Sequence, residues 1–204
     1  VSGNLPVFDG TTGKVIKDAG FKPIKGPESS TSGNVAIYDG TTGKVLKDGG
    51  ITSNVWDVII EDQKPQGTGG GTFTKGAWQT RDLNTLVFNH NSLASLSNNR
   101  FTLPAGTYCI DWDAPAHRVN RHKTRLYNYT NSTVVAYGTN EYATAAVDEH
   151  GTASRSCGTT VITITDSTAF IIQHYSEASY SAGFGEASRF GTEVYTRVRI
   201  KKIA

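Results

Sequence analysis

Apolar and polar residues alternate along much of the chain after about residue 55, and this pattern predicts β-strands. In the clearest segment, Tyr108, Ile110, Trp112 and Ala114 occupy every second position. A period of two places successive side chains on opposite faces of a half-buried strand. No segment keeps a helical period over three turns, and Gly, Pro and Asn mark the turns. We therefore predict an all-β sandwich, with further strands at residues 55–60, 160–165, 170–174 and 193–201.

The last predicted strand has two faces of different chemistry. Val194, Thr196, Val198 and Ile200 alternate with a charged set that also contains a tyrosine. If the first set fills the core, the second set meets either water or another subunit, and Tyr and Arg are favoured at interfaces. We therefore predict that this second set lies near a trimer axis, with the candidate interface residues Glu193, Tyr195, Arg197 and Arg199.

The first quarter of the chain contains an internal duplication. Residues 2–20 return as residues 32–50, a shift of 30 (32 − 2), and 13 of the 19 positions are identical. Each copy places short β-prone runs around a Gly-rich turn, which predicts a small hairpin. Because a lone two-stranded hairpin is marginally stable in water, we expect the repeats to pack on other copies of the chain. The predicted turn residues are Asp9, Gly10, Gly13, Asp39, Gly40 and Gly43.

Changes in composition predict two domains. Residues 21–31 are rich in Pro and Ser and indicate an extended linker between the two hairpins. Residues 1–52 then form the duplicated-hairpin region, an anchor or stalk, and residues 53–204 form a single β-sandwich domain. Within the sandwich, the Gly-rich segments 67–71 and 182–186 predict mobile loops.

Charge and cysteine content narrow the possible partners. The 204 residues carry a formal net charge of +2, so bulk electrostatics indicates neither a nucleic-acid nor a membrane partner. No apolar run approaches the roughly 18 residues of a membrane-spanning helix. The two cysteines, Cys109 and Cys157, are too few for a disulfide framework, and we predict two buried free thiols.

Residues that could support catalysis or bind a metal are few. His117 and His122 stand among cationic side chains that would repel a metal ion. Asp111 and Asp113 share a strand face, whereas glycoside hydrolysis needs its two carboxylates on either side of a cleft. We therefore predict a non-enzymatic protein that uses no cofactor and no metal.

One basic patch interrupts the balanced charge. It spans residues 118–125 and contains Arg118, Arg121, Lys123 and Arg125. Interleaved aromatic residues, on which nucleic-acid bases would stack, are missing from this segment. The pattern favours a solvated face or salt bridges between subunits, with nucleic acid or an anionic surface glycan as alternatives.

Several separated motifs resemble a known family. They are AWQTRDLNT at residues 77–85, FTLPAGTY at 101–108, APAHRVNRHK at 114–123, RLYN at 125–128 and FGTEVYT at 190–196. Together they resemble the C-terminal domain of tailed-bacteriophage fibre and other virion proteins, which is similar to the trimeric jelly rolls of complement heads and tumour necrosis factor. The resemblance covers about residues 55–204, and the DGTTGK repeats resemble segments that precede such domains.

The resemblance implies a homotrimeric virion protein of a bacteriophage, assembled in the cytoplasm of the host bacterium. Residues 1–52 would contact other virion proteins, and the jelly roll would form an outward knob. As part of a tail fibre or tail tip, the knob would attach to a host surface glycan or protein. Loops 127–133 and 139–142 suit polar ligands, although no receptor-binding residue follows from them. The alternative is a head fibre or decoration protein that stabilises the capsid, and a polysaccharide-degrading enzyme is disfavoured.

Overall fold

The computed structural model describes residues 6–9, 15–18, 36–38, 46–48, 55–145 and 151–203. The chain divides into two units, Val1–Asn54 and Val55–Ala204. In the first unit, β1 (Pro6–Asp9) pairs antiparallel with β2 (Val15–Asp18), and β3 (Ala36–Tyr38) pairs in the same way with β4 (Leu46–Asp48). Each repeat therefore contains one antiparallel strand pair, and its assignment to a hairpin stays a prediction.

The predicted turns fall mostly outside these strands. Asp9 is the last residue of β1. The remaining predicted turn residues and the linker at 21–31 lie outside the described residues: Gly10, Gly13, Asp39, Gly40 and Gly43. The role of residues 1–52 as an anchor or stalk stays a prediction.

The second unit is built almost entirely of strands, as the alternating pattern predicts. Within the described ranges it contains a single short 3-10 helix, His90–Ser92, and no helix has the length and apolar character needed to cross a membrane. The strands are β5 (Val58–Lys64), β6 (Gln79–Thr80), β7 (Thr85–Asn89), β8 (Ser95–Ser97), β9 (Arg100–Leu103), β10 (Gly106–His117), β11 (Asn120–Asn128), β12 (Thr133–Tyr137), β13 (Glu141–Ala143), β14 (Ala153–Ile164), β15 (Thr168–Ser176) and β16 (Glu193–Lys202).

These strands form two antiparallel sheets. The five-stranded sheet has the order β14-β10-β16-β5-β7, and the larger sheet has the order β12-β11-β15-β9-β8. In the larger sheet β13 also pairs with β11, and β6 pairs with β15. Strands that are neighbours in a sheet are often distant in sequence, and in the five-stranded sheet β5 and β16 come from the two ends of the domain.

The core lies between the sheets and follows the alternation along β10. Tyr108, Ile110 and Trp112 are fully buried against residues of the larger sheet such as Leu126. The Trp112 indole Nε1 donates a hydrogen bond to Thr124 Oγ1 at 2.9 Å, which ties the two sheets together through a buried polar contact. The predicted inward face of this strand is therefore confirmed.

The two Gly-rich loops are packed against each other rather than projecting freely. Gly70 N donates to Gly185 O at 2.9 Å, and Phe184 N donates to Gly71 O at 3.1 Å. The Phe184 side chain is buried with Phe73, their ring centroids 4.6 Å apart. The glycine content of these loops predicts mobility, but close packing is what requires Gly70, because a Cβ at that position would meet the Phe184 backbone at 2.8 Å.

Candidate subunit-interface site

The outward face of the five-stranded sheet carries a row of paired charges, which we call the charged face. Its central residues are Asp111 and Asp113 on β10, Arg197 and Arg199 on β16, and Arg155 on β14. The strand register places Asp111 opposite Arg199 and Asp113 opposite Arg197. Opposite charges at directly facing positions stabilise a pair of antiparallel strands. The sequence prediction that the two aspartates share a face is confirmed.

Arg199 holds both aspartates at once. Its Nη1 lies 2.6 Å from Asp111 Oδ1, and its Nη2 lies 2.9 Å from Asp113 Oδ2. Arg155 pairs with Asp113 from the other side and donates to the backbone oxygen of Tyr195 at 3.0 Å. A planar guanidinium with several donors can bridge two carboxylates in this way, whereas a lysine could not reproduce the geometry.

The charged face extends over β5 and stays electrically balanced. Arg197 Nε lies 2.6 Å from Glu61 Oε1, and Lys201 Nζ lies 3.1 Å from Asp57 Oδ1. These pairs bring the face to four carboxylates and four cations. A shallow concavity of about 650 Å³ lies at its centre, between the aspartates and the three arginines.

A bulge in β16 separates the four predicted interface residues into two groups. Val194 pairs with Gln63 and Arg197 pairs with Glu61, so β16 has one residue more than β5 between these positions. As a result Tyr195 and Thr196 are both buried, although they are neighbours in sequence. The single charged face predicted from strict alternation is therefore wrong at Glu193 and Tyr195, and holds for Arg197 and Arg199.

Glu193 organises the loop that precedes β16. Its carboxylate accepts hydrogen bonds from Gly67 N at 3.0 Å, Arg189 N at 2.7 Å, and both the N and the Oγ of Ser188 at 2.8 Å. These donors, Gly67 N first, lower the pKa of Glu193 to about 2. Both its oxygens are thus occupied within the protomer, and its assignment to a trimer interface stays a prediction.

Tyr195 is engaged in the same region. Its hydroxyl donates to the backbone oxygen of Thr68 at 2.8 Å, and burial, with a contribution from the Glu193 charge, raises its pKa to about 12. The side chain is buried within its own protomer. An interface role for Tyr195 stays a prediction, and the contacts seen here connect β16 to the loop at Thr68.

A buried arginine that the sequence analysis overlooked lies behind this region. Arg81 is fully buried, with Nε donating to Thr196 Oγ1 at 2.9 Å and Nη2 donating to Phe184 O at 2.8 Å. Its guanidinium carbon lies 4.1 Å from the centre of the Phe184 ring. Burial lowers the pKa of Arg81 to about 9. The motif AWQTRDLNT contains this residue, but only the tertiary structure shows that its charge is internal.

Two histidines form a second buried polar contact. His122 Nδ1 and His174 Nε2 are 2.9 Å apart, and His122 Nε2 lies 2.9 Å from Ser154 Oγ. Burial, followed by the nearby charge of Arg81, lowers the pKa of His122 to about 4 and that of His174 well below its usual range. His174 is therefore a packed histidine, fully buried in the sandwich.

The other predicted features are dispersed. His117 lies 3.5 Å from Glu186 and His122 contacts His174, and among the described residues no three or more His, Cys, Asp or Glu side chains converge as metal ligands would. Cys109 and Cys157 are free thiols, but they were wrongly predicted to be buried. Cys109 is half-buried and Cys157 exposed because both occupy outward positions, Cys157 opposite Asp113.

The basic segment lies on the opposite sheet. Arg121, Lys123 and Arg125 occupy successive outward positions of β11, which belongs to the larger sheet. Aromatic residues missing from the segment itself are supplied by other strands, because Arg125 stacks on Trp78 with 4.1 Å from the guanidinium carbon to the ring centre. The basic patch therefore does have aromatic neighbours, contrary to the prediction from its local sequence.

Comparison with known proteins gives similarity of fold. No known family model matches the sequence. No curated protein matches it either. Among solved structures, the globular domain of zebrafish complement 1qA protein has a TM-score of 0.46 and 13% identity, covering 72% of this chain and 98% of that one. Murine APRIL has a TM-score of 0.44 and 7% identity, covering 71% and 98%.

A third similar structure comes from a virus. PRD1 vertex protein P5 has a TM-score of 0.46 and 12% identity, covering 74% of this chain and 100% of that one. The all-β two-sheet sandwich thus resembles the C1q/TNF fold. At these scores and identities, the resemblance concerns the sandwich alone.

Proposed function

We propose that this protein is a non-enzymatic structural component of a bacteriophage particle, a homotrimer of the fibre or tail-tip type whose sandwich attaches the particle to its host. The charged face is the observation that carries the proposal. It is broad, open and densely charged, yet its four carboxylates and four cations balance. Balanced charge suits contact between identical copies, because no net charge repels the partner.

The pairing within the charged face also favours burial against another copy. Covering an unpaired charge costs several kcal/mol, whereas a pair that is already formed loses less when water is removed. Arg155 and Arg197 remain 43% and 40% exposed and have donors left for a partner's carboxylates. Arg199 and Asp113 are more buried, at 24% and 14%, and hold the face in shape. The exposed ion pairs of Arg155 and Arg197 add little to the stability of a single protomer.

The duplicated hairpins support the same assembly. Each consists of two strands of four residues or fewer. A hairpin of that size is marginal in water without further packing. Copies of residues 1–52 in a trimer would supply that packing and a platform for contact with other virion proteins. Three knobs on one stalk would also bind a repetitive host surface with high avidity, even if each contact were weak.

The oligomeric state tests the assembly directly. Analytical ultracentrifugation of the full chain at micromolar concentration should give the mass of three chains. Arg197→Glu combined with Arg199→Glu places two carboxylates beside Glu61, Asp111 and Asp113, and should shift the protein to monomers. Arg121→Glu is the matched control, since this arginine pairs with Glu177 on the other sheet. A monomeric wild type, or equal dissociation of the control, would refute the proposed interface.

Location and attachment need separate measurements. Imaging of the whole particle with labelled protein should find the chain in the virion, at a fibre or tail tip, after assembly in the bacterial cytoplasm. The isolated protein should bind cells of a susceptible host and compete with particle adsorption. A position on the head together with no binding to any susceptible strain would favour a head fibre or decoration protein that stabilises the capsid.

A further inference from the structure

The outward face of the larger sheet carries a cluster of aromatic rings, here named the aromatic platform, formed by Trp78, Tyr127, Tyr137 and Tyr175. The centre of the Trp78 ring lies 5.5 Å from that of Tyr175 and 6.0 Å from that of Tyr137. Tyr137 and Tyr175 remain 55% and 38% exposed. Four strands or their ends contribute these rings, so the sheet itself sets their spacing.

Two cations lie on this platform without a carboxylate partner among the described residues. The guanidinium carbon of Arg125 is 4.1 Å from the centre of the Trp78 ring and 4.9 Å from that of Tyr127. Its Nε donates to Gln173 Oε1 at 2.8 Å, which fixes the plane of the guanidinium and leaves its two terminal nitrogens to other acceptors. Lys123 Nζ lies 4.8 Å from the centre of the Tyr137 ring.

A groove of about 820 Å³ continues from the platform along the same face. Tyr175 belongs to both, Lys123 lies between them, and the groove also presents Asn140, Glu141 and Glu177. Its volume lies in the range of about 300–1,000 Å³ typical of small-ligand sites. The groove therefore combines one tyrosine ring, shared with the aromatic platform beside it, with an amide, two carboxylates and cations.

This combination favours a sugar chain that carries scattered acidic groups. The C–H faces of pyranose rings stack on aromatic rings, and sugar hydroxyls donate to carboxylates and amides. A fixed guanidinium with free terminal nitrogens binds a carboxylate or phosphate in two-pronged geometry. A nucleic acid also stacks on aromatic rings, and the groove presents Lys75, Arg121 and Lys123 to its phosphates. However, Arg121 is already paired with Glu177, and Glu141 adds a further negative charge, so the groove offers little net positive charge to a continuously charged backbone.

We propose that the aromatic platform and its groove bind an acidic polysaccharide, with Trp78 and Tyr175 stacking on sugar rings and Arg125 pairing with the acidic group. The inference rests on the proposed attachment function and names its ligand class. The platform lies on the opposite sheet from the charged face, so a trimer assembled through the charged face leaves it exposed. The acidic group is a uronate carboxylate or a sugar phosphate, since both suit the same arginine.

The test is isothermal titration calorimetry, in which each probe is titrated into the full-length protein. The probes are oligogalacturonate for the carboxylate, a phosphomannan fragment for the phosphate, their neutral counterparts oligogalactose and mannan, and a single-stranded dT15 oligonucleotide. At least one acidic saccharide should bind, and its neutral counterpart should bind about tenfold more weakly or not at all. Binding of neither acidic saccharide, or tighter binding of dT15, would overturn the proposal.

Variants locate the site on the protein. Trp78→Ala and Arg125→Gln should each weaken binding about tenfold. Arg125→Lys keeps the charge and should rescue only part of the loss, because it lacks the planar fork. Tyr129→Ala is the matched control, since Tyr129 forms a similar stack with Arg100, 3.6 Å from the guanidinium carbon to the ring centre, away from the groove. Unchanged affinity in Trp78→Ala, or equal loss in Tyr129→Ala, contradicts the assignment.

Failure of this site and failure of the proposed function give different results. Ultracentrifugation and particle imaging report on the trimer and the virion, and neither depends on sugar binding. If the protein is a trimer in the virion but its affinity for saccharide does not change in Trp78→Ala, the proposed site is wrong and the proposed function stands. If the protein is a monomer that binds acidic saccharide through Trp78, the proposed site stands and the proposed trimer is wrong.

Discussion

Acidification should destabilise the sandwich through the contact between His122 and His174. The two facing ring nitrogens, 2.9 Å apart, can share one hydrogen and cannot both carry one. His122 is 4% exposed and His174 is fully buried, so a charged ring in either place would lose its hydration. Arg81 adds a positive charge that opposes protonation of both rings. In the unfolded chain, the same imidazoles are free to take up protons.

The sign and size of the effect follow from the pKa of His122 in the unfolded and folded chains. This pKa falls from the ordinary value of 6.5 in the unfolded chain to about 4 in the folded protein. Its contribution to stability is therefore fully present above pH 6.5 and is lost as the pH falls toward about 4. Between about pH 7.5 and about pH 5, this loss amounts to about 2 kcal/mol for His122 alone. His174, whose pKa is also lowered, changes stability in the same direction.

A carboxylate nearby acts in the opposite sense. Burial raises the pKa of Asp62, so this group favours the folded state as the pH falls. The contribution of the histidines must therefore be isolated by difference. The double variant His122→Gln, His174→Gln removes both imidazoles and retains Asp62 and Arg81. Its free energy of unfolding should change less with pH than that of the wild type.

Urea unfolding at a series of pH values, at one fixed protein concentration, measures this difference. Fixed concentration matters because subunit dissociation adds to the apparent stability of an oligomer. Phe190→Ala, at a 95% exposed position that carries no titratable group, is the control and should keep the wild-type dependence. If the double variant loses as much stability as the wild type between about pH 7.5 and about pH 5, the linkage argument is wrong. His122→Gln alone serves if the double variant does not fold.

Three further predictions concern packing, the Glu193 loop and the charged face. Gly158→Ala should lower the free energy of unfolding by about 1–3 kcal/mol, because its Cβ would overlap the Trp112 ring on the adjacent strand. Glu193→Gln should speed tryptic cleavage after Arg189 several-fold, because the neutral amide cannot accept all four hydrogen bonds of the loop. Cys157 should alkylate more slowly in the wild-type oligomer than in the Arg197→Glu, Arg199→Glu variant, because it lines the concavity of the charged face.

Each of these predictions has an internal control. Gly69→Ala should be tolerated, since its added Cβ would meet only ordinary contacts at 3.7 Å and beyond, and equal loss in both glycine variants would contradict the packing argument. Ser188→Ala removes one hydroxyl donor and should accelerate cleavage less than Glu193→Gln. Burial, with the charge of Asp113, already raises the pKa of Cys157, and added carboxylates would raise it further. Faster alkylation in the charge-reversal variant would therefore report uncovering of the thiol.

Predictions from the sequence succeeded where the pattern is local. Alternation along β10 identified Trp112 and its neighbours as core residues, because side chains on a strand alternate whatever lies beside it. The duplicated turns predicted two hairpins for the same reason, since their strands are close in sequence. In β16 the alternation failed at Glu193 and Tyr195, because one extra residue relative to β5 puts the residues before the bulge on the opposite face from the one that alternation with Arg197 and Arg199 predicts.

The candidate sites depend on contacts between distant segments. Asp111 and Arg199 face each other only because β10 and β16 are neighbours in the five-stranded sheet. The surroundings of Arg125 were misjudged because Trp78 reaches it from a segment far along the chain. Nothing in the local sequence of Arg81 or His122 indicates that the fold encloses them.

By itself, the sequence determined that the chain forms strands and which residues of the central strand face inward. These features depend on side-chain alternation and turn chemistry, which act over a few residues. The tertiary structure alone decided the partners of the charged residues, the bulge at Tyr195 and the assembly of the aromatic platform. Those features depend on strand order and register, which join residues more than 40 positions apart, as between Arg125 and Gln173 where |i−j| is 48.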